Sequence, residues 1–426
     1  MKMKGWFVGI ALSLFAGIVF SGCSALGPKV PVTVSYWGDA KEIAIIEGIV
    51  AAWSKKHPGI KVILQHTPSG RYQDKIISQI VGGEAPDVMF CGTGVFVNLY
   101  KRNVLMPLNS LLSNDTDFNL QEFYPAIAEY FTVDNTVYAI PRDIAPIACV
   151  YVNKNLFQEA GLDLPTDNWT TDDVVRLAKQ LTRRDANGIV SQYGFSSGWF
   201  WMNWLFTFGG SQVDDIKKPT RLMFSSPGSK KGLEFYHDLM WKHQVSPKPG
   251  ATDQTGADLF MTGRVAMYAS GIWEAPQFRT ITAFDWDVVM FPKSPTGRRG
   301  YLGGGAGYGI YSGTKHVKEA WEVLKCLSGD DGQIQMAEAG LAQPAKMSLA
   351  RGPAFMQDGK MPLNKKMLDE ATKFCVWDPF SQSMYEIMNG VVYPSLDLYF
   401  QNQKSLDEVL TKIEREVKEK KLNLSE

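Results

Sequence analysis

Cysteine is scarce in this chain, five residues in 426, and no two of them stand as C-x-x-C. That removes a disulfide-stapled scaffold and every recognisable zinc motif. Histidine is equally rare. His237 and His243 fall on different helix faces, so they do not make a metal pair. Net charge is also missing: 44 Lys and Arg balance 44 Asp and Glu. No basic stripe interleaved with aromatics appears anywhere, which argues against nucleic acid. Gly303-Gly304-Gly305-Ala306-Gly307 does not fit G-x-G-x-x-G, and no Lys-Ser or Lys-Thr follows to make a phosphate loop. Cofactor and metal are therefore expected to be absent. No apolar run reaches the roughly 20 residues of a membrane span. Internal repeats and low-complexity segments are absent too.

What remains is a globular composition, 45% hydrophobic and 12% aromatic, long enough for about two or three domains. The first residues stand apart. Lys2 and Lys4 precede an apolar run from Trp6 to Phe20, which suits a signal peptide over residues 1–22. Phe20-Ser21-Gly22-Cys23 resembles a bacterial lipobox, with phenylalanine where leucine is usual. The resemblance implies that Cys23 becomes a lipidated first residue and that residues 23–30 are a tether to a membrane. Removing residues 1–22 leaves 42 basic against 44 acidic residues, so the mature chain is nearly neutral. Cys91, Cys149, Cys326 and Cys375 are far apart and read as isolated buried thiols.

Val30 to Tyr36 reads as a strand, followed by a helix with Ile46, Ile49, Val50 and Trp53 on one face. Ile60 to Gln65 is the next strand. Tyr72 to Val81 is a second helix closed by Gly82-Gly83, and Asp87 to Phe90 enters a third strand. This alternation implies βαβ units and a parallel sheet. Ligands on such sheets sit beyond the carboxyl ends of the strands. Here that means Trp37, Gly38 and Asp39, then Thr67 to Arg71, then Gly92, Thr93 and Gly94. Tyr138 to Asn153 is organised differently. Pro141 and Pro146 interrupt an apolar stretch, and neither can donate to a central ladder. Arg142 and Asp143 lie between them, a charged pair that a buried sheet accepts only toward a cleft or a partner. The stretch reads as a crossing between two lobes with Asp143 at the seam, the alternative being one irregular edge strand with a surface ion pair. Gly300 to Gly305 reads as a second crossing, and a third is expected soon after the helix Val317 to Leu327. The lobes expected are 31–141 with 301–327, and 142–300 with 328–426, each a mainly parallel sheet flanked by helices. Thr170 to Asp173 looks like a capping box, and Ser405 caps the last helix.

Gly194-Phe195-Ser196-Ser197-Gly198 matches the G-x-S-x-G of a nucleophile elbow, with His237, His243 and His316 downstream, but an aromatic cluster follows it where the elbow needs a helix. Asp185-x-Asn187-Gly188 begins like a calcium loop and lacks the closing glutamate. Glu274 could be half of a glycosidase pair, without a second carboxylate to match. The tryptophans are more informative. Trp199, Trp201, Trp204, Trp273 and Trp377 stand beside glycine, asparagine, proline or acidic residues at the ends of elements. Flat aromatic faces next to carboxylates suit sugar rings, which carry an apolar C–H face and a rim of hydroxyls.

Trp53-Ser-Lys-Lys-His-Pro-Gly-Ile-Lys-Val62, Tyr72-Gln-Asp-Lys-Ile76, Gly83-Glu-Ala-Pro-Asp-Val-Met-Phe90 and Leu105-Met-Pro-Leu108 form an ordered series. It continues through Tyr138-Ala-Ile-Pro141, Tyr151-Val-Asn-Lys-Asn-Leu-Phe157, Ser270-Gly-Ile-Trp273 and Lys315-His-Val-Lys-Glu-Ala-Trp321. In this order and spacing the mature chain resembles the sugar-specific, maltose-binding-like solute-binding proteins of bacterial ABC transporters. The resemblance implies two α/β lobes closing on a sugar or oligosaccharide, membrane permease subunits as partners, and an extracytoplasmic, lipid-anchored location. It assigns Asp143 as the cleft carboxylate, Trp273 as the aromatic after the Ser-Gly-x-Trp strand, and the loops at Trp37 and Asp39 and at Gly92 to Gly94. Trp201 and Trp377 match aromatic platforms more loosely, with Trp199 able to replace Trp201. Gly304, in the second crossing, completes the expected ligand contacts. The competing reading is a secreted carbohydrate-active hydrolase, a glycosidase or esterase. The residues favour a receptor, because carboxylates and aromatics are present without a placeable acid–base pair.

Overall fold

The computed structural model describes residues 28–38, 40–116 and 118–425. The expected lipidation site Cys23 and the loop residue Asp39 lie outside them. Two mixed sheets, each with its own apolar core, make two lobes. In the first sheet the strands run in the order Gln343–Pro344, Ile140–Pro146, Tyr301–Ile310, Val88–Gly92, Val30–Tyr36, Ile60–His66. Its heart is the expected βαβ series. Val30–Tyr36 pairs in parallel with both Ile60–His66 and Val88–Gly92. The helix Ala40–Lys56 buries Ile46, Ile49 and Val50 at the spacing the sequence sets. The expectation of a mainly parallel sheet holds only for that part. Tyr301–Ile310 returns from the other lobe and runs antiparallel to Val88–Gly92 and Ile140–Pro146, while its first residues pair in parallel with Cys375–Val376.

The second sheet has the order Trp286–Met290, Cys149–Asn153, Val265–Ser270, Val190–Ser196, Arg183–Arg184. Only Val265–Ser270 and Val190–Ser196 pair in parallel. Cys149–Asn153 is antiparallel to both of its neighbours. Helix Thr171–Leu181 opens on the capping box of Thr170 and Asp173 and buries Val174, Leu177, Ala178 and Leu181. Helix Leu406–Glu419 opens on the same device at Ser405 and Glu408.

The passages between lobes differ from the sequence reading. A boundary at 141/142 falls inside Ile140–Pro146, whose strand partners all belong to the first sheet, so the first passage lies between Pro146 and Cys149. The two prolines are tolerated for a local reason. Pro141 pairs with Gly307 where the register shifts, and Pro146 is the last residue of the strand. The third passage is also later. Gln343 and Pro344 still pair with Ile144 and Asp143, and Ala350 lies in the first core, whereas Phe355 lies in the second. The first two passages are tied together. Ile147 N–H donates to the Leu302 carbonyl, and the buried Asn203 amide donates to Ile147 O and accepts from Leu302 N–H, both at 2.9 Å. The chain touches the first lobe once more near its end. Phe380 lies in the first core between Tyr130 and Phe96, and the Lys217 ammonium stands 4.0 Å over its ring.

Candidate functional site

The carboxyl edge of the first sheet carries one wall. Trp37 follows the first strand and meets Phe90 edge-on at 4.5 Å and Tyr72 at 5.2 Å. Its indole crosses Gly92 so closely that a Cβ there would lie 2.2 Å from the ring, which accounts for the glycine. Thr93 opens the helix Thr93–Lys101 and its hydroxyl donates to Asp378 at 2.6 Å. Gly94 stands beside the same carboxylate. Burial raises the pKa of Asp378, and the Thr93 hydrogen bond opposes that rise.

The expected cleft pair is buried. Arg142 and Asp143 are 6% and 4% exposed. Arg142 Nε donates to Asp143 Oδ2 at 2.6 Å and Nη1 to Glu42 Oε1 at 2.9 Å. The guanidinium lies 4.7 Å from the centre of the Phe90 ring. Burial disfavours the cation, but Asp143 and Glu42 outweigh it and hold Arg142 protonated well above its ordinary range. Gly305, beside this pair, adopts φ +142°, and a Cβ on it would lie 2.8 Å from the Asp143 carbonyl. At Gly304 a Cβ would lie 2.7 Å from the carbonyl of Ala145. The glycine run is thus a close approach of two backbones.

The second wall is aromatic. Trp273 follows Val265–Ser270, folds over Gly271, and packs against the clusters of both lobes with Phe200 at 6.2 Å. Trp199 is 63% exposed and packs at a tilt on Phe200, ring centres 4.2 Å apart. Trp377 stands with the first wall instead: next in the chain to Asp378, it leans on Tyr130 at 5.3 Å, touches Gly303 and packs against the first core. A cavity of about 290 Å³ opens beside Trp199, Ser197, Lys248 and Gln254. Trp201 does not join them. It is 5% exposed among Phe224, Tyr393 and Phe400, so its faces are already covered, and Trp204 is fully buried.

Ser196 ends its strand before the helix Trp201–Thr207, as an elbow would, but its hydroxyl accepts from the Gly198 amide. Glu274 accepts from Ser270 Oγ and Tyr268 OH. Among the described residues no group of three or more His, Cys, Asp or Glu lies together as metal ligands. Sequence reasoning missed Glu42, Phe200 and Asp378. Asp378 could have been found beside Trp377, and Glu42 from its place in the first turn after the Trp37 loop.

Residues 37–334, more than half of the chain, match the family described as bacterial extracellular solute-binding protein. The chain belongs to that family. This solute-binding protein is 23% identical over 317 residues to the multiple sugar-binding protein of Streptococcus mutans, covering 70% of this chain and 71% of that one. Its fold matches an ABC substrate-binding protein of Listeria monocytogenes in complex with cycloalternan. The TM-score is 0.82 and the identity 22%, over 92% of this chain and 99% of that one. It also matches the maltose-bound T. maritima MalE3, with TM-score 0.77 and 22% identity over 91% and 99% of the two chains. The structural likenesses show the fold of two α/β lobes, and the family match gives the extracytoplasmic solute-binding role.

Proposed function

We propose that this solute-binding protein captures a sugar or oligosaccharide between its lobes and delivers it, unaltered, to the permease subunits of an ABC importer, held at the membrane by lipid on Cys23. The observation that carries the reading is the pairing of two walls. One presents carboxylates, Asp143, Glu42 and Asp378, with the Trp377 indole beside them, and the other presents indole faces at Trp199 and Trp273. Carboxylates accept hydroxyl hydrogen bonds, and indoles cover the C–H face of a ring. The cavity beside Trp199 gives an oligosaccharide room to extend. Relatives named for sugars support the same class. Asp143 is nearly covered with the lobes as they stand, so a ligand reaches it when they part and is enclosed when they close. The passages at 146–149, 302–303 and 350–355 are the hinge segments in this reading.

Thermal shift against sugars, oligosaccharides and polyols tests it, since a ligand of the folded state alone raises the melting temperature. Binding should change tryptophan fluorescence, and chromatography after long incubation should return the ligand intact. A cleaved product abolished by Ser196→Ala or Glu274→Gln would replace the receptor with a hydrolase. Cys23→Ser should release the protein from the membrane fraction.

A further inference from the structure

Arg142 is not an expected ligand contact, yet it touches both carboxylates nearest the seam. Its guanidinium is a rigid plane with two usable edges and two faces. The Nε edge holds Asp143, Nη1 holds Glu42, and one face lies over Phe90. Phe90 in turn meets Trp37 edge-on. Glu42 belongs to the first turn of the helix Ala40–Lys56 and packs against Gly38, in the loop that follows Trp37. Asp143 belongs to a different segment, the strand that leads into the first passage. A single side chain therefore fixes two segments that meet at the seam.

We propose that Arg142 is the positioning residue of the ligand cleft, orienting Asp143 and Glu42 as paired acceptors and fixing the Trp37 loop through Phe90. The assignment rests on the sugar-receptor reading above. A carboxylate gripped on one oxygen by a planar guanidinium keeps its orientation, so less freedom is lost when hydroxyls bind. Lysine cannot reproduce the grip, because an ammonium is a point donor without the two-edged plane.

The test titrates the parent and its variants with whichever member of a panel of malto-, gluco-, galacto- and manno-oligosaccharides and hexitols most raises the parent's melting temperature. Arg142→Met should weaken binding roughly tenfold or more, the loss of one charge-assisted hydrogen bond's orientation. Arg142→Lys should recover only part of that loss. In the Asp143→Ala background the Arg142→Met change should cost clearly less than in the parent, because part of its action runs through that carboxylate and only the part through Glu42 and Phe90 remains. Parent affinity in Arg142→Lys, or in a folded Arg142→Met, overturns the proposal, as does full additivity with Asp143→Ala. If Arg142→Met fails to fold, the lysine variant decides. A parent that no panel member stabilises overturns the sugar reading itself and this assignment with it. Loss of affinity in Asp143→Ala without loss in either Arg142 variant overturns only the positioning role.

Discussion

Trp199 and Trp201 stand two residues apart and are used in opposite ways. Trp201→Ala should lose about 3–5 kcal/mol of folding stability, because it empties a packed site among Phe224, Tyr393 and Phe400. Trp199→Ala should change stability by no more than about 0.5 kcal/mol, since the ring is exposed, while weakening oligosaccharide binding several-fold. Denaturant melts and calorimetric titrations separate the two effects. Sequence could not distinguish them: all seven residues of the helix Trp201–Thr207 are buried, so no polar face sets its phase. Asp378 offers a test with a pH sign. Burial raises its pKa, so the folded state binds this proton more tightly than the unfolded chain. Its contribution to stability is present in acid and is lost as pH rises through the folded pKa. Asp378→Asn should therefore melt higher than the parent at neutral pH, with the gain vanishing in acid, as followed by thermal melts across pH.

The strand Tyr301–Ile310 shows why the architecture was more legible in its helices than in its crossings. Helix starts were readable because capping side chains and apolar spacing are local, as at Thr170 and Ser405. The seam strand Ile140–Pro146 was not, because its prolines argue locally against a ladder that a distant register shift permits. The glycines of Tyr301–Ile310 were equally readable as a hinge. They are required by contact: at Gly307 a Cβ would lie 2.2 Å from the Ile140 carbonyl oxygen. Gly307→Ala should accordingly destabilise the first lobe by at least about 1–3 kcal/mol. Hydrogen exchange should report the loss at Val88–Gly92 and Ile140–Pro146, the strands on either side. Uniform protection in that variant would show that the two backbones can separate at no cost.

At the scale of the whole molecule, the lobes are joined by more than their hinges. Phe380 sits in the first core, and its amide donates to the Ile216 carbonyl at 2.7 Å. Ile216 itself packs against clusters of both lobes. Phe380→Ala should remove about 3–5 kcal/mol and turn a single calorimetric transition into two, one for each lobe. A variant that still melts in one transition would show the remaining passages to be sufficient coupling. The same threading has a consequence for the order in which the protein can be made. Every strand of the second sheet lies between Cys149 and Met290. The first sheet must wait for Tyr301–Ile310 to enter between strands synthesised about 160–220 residues earlier. Synthesis begins with the first lobe, but its sheet cannot close until Tyr301–Ile310 exists, and the gap left for that strand keeps the growing chain open until most of it is made.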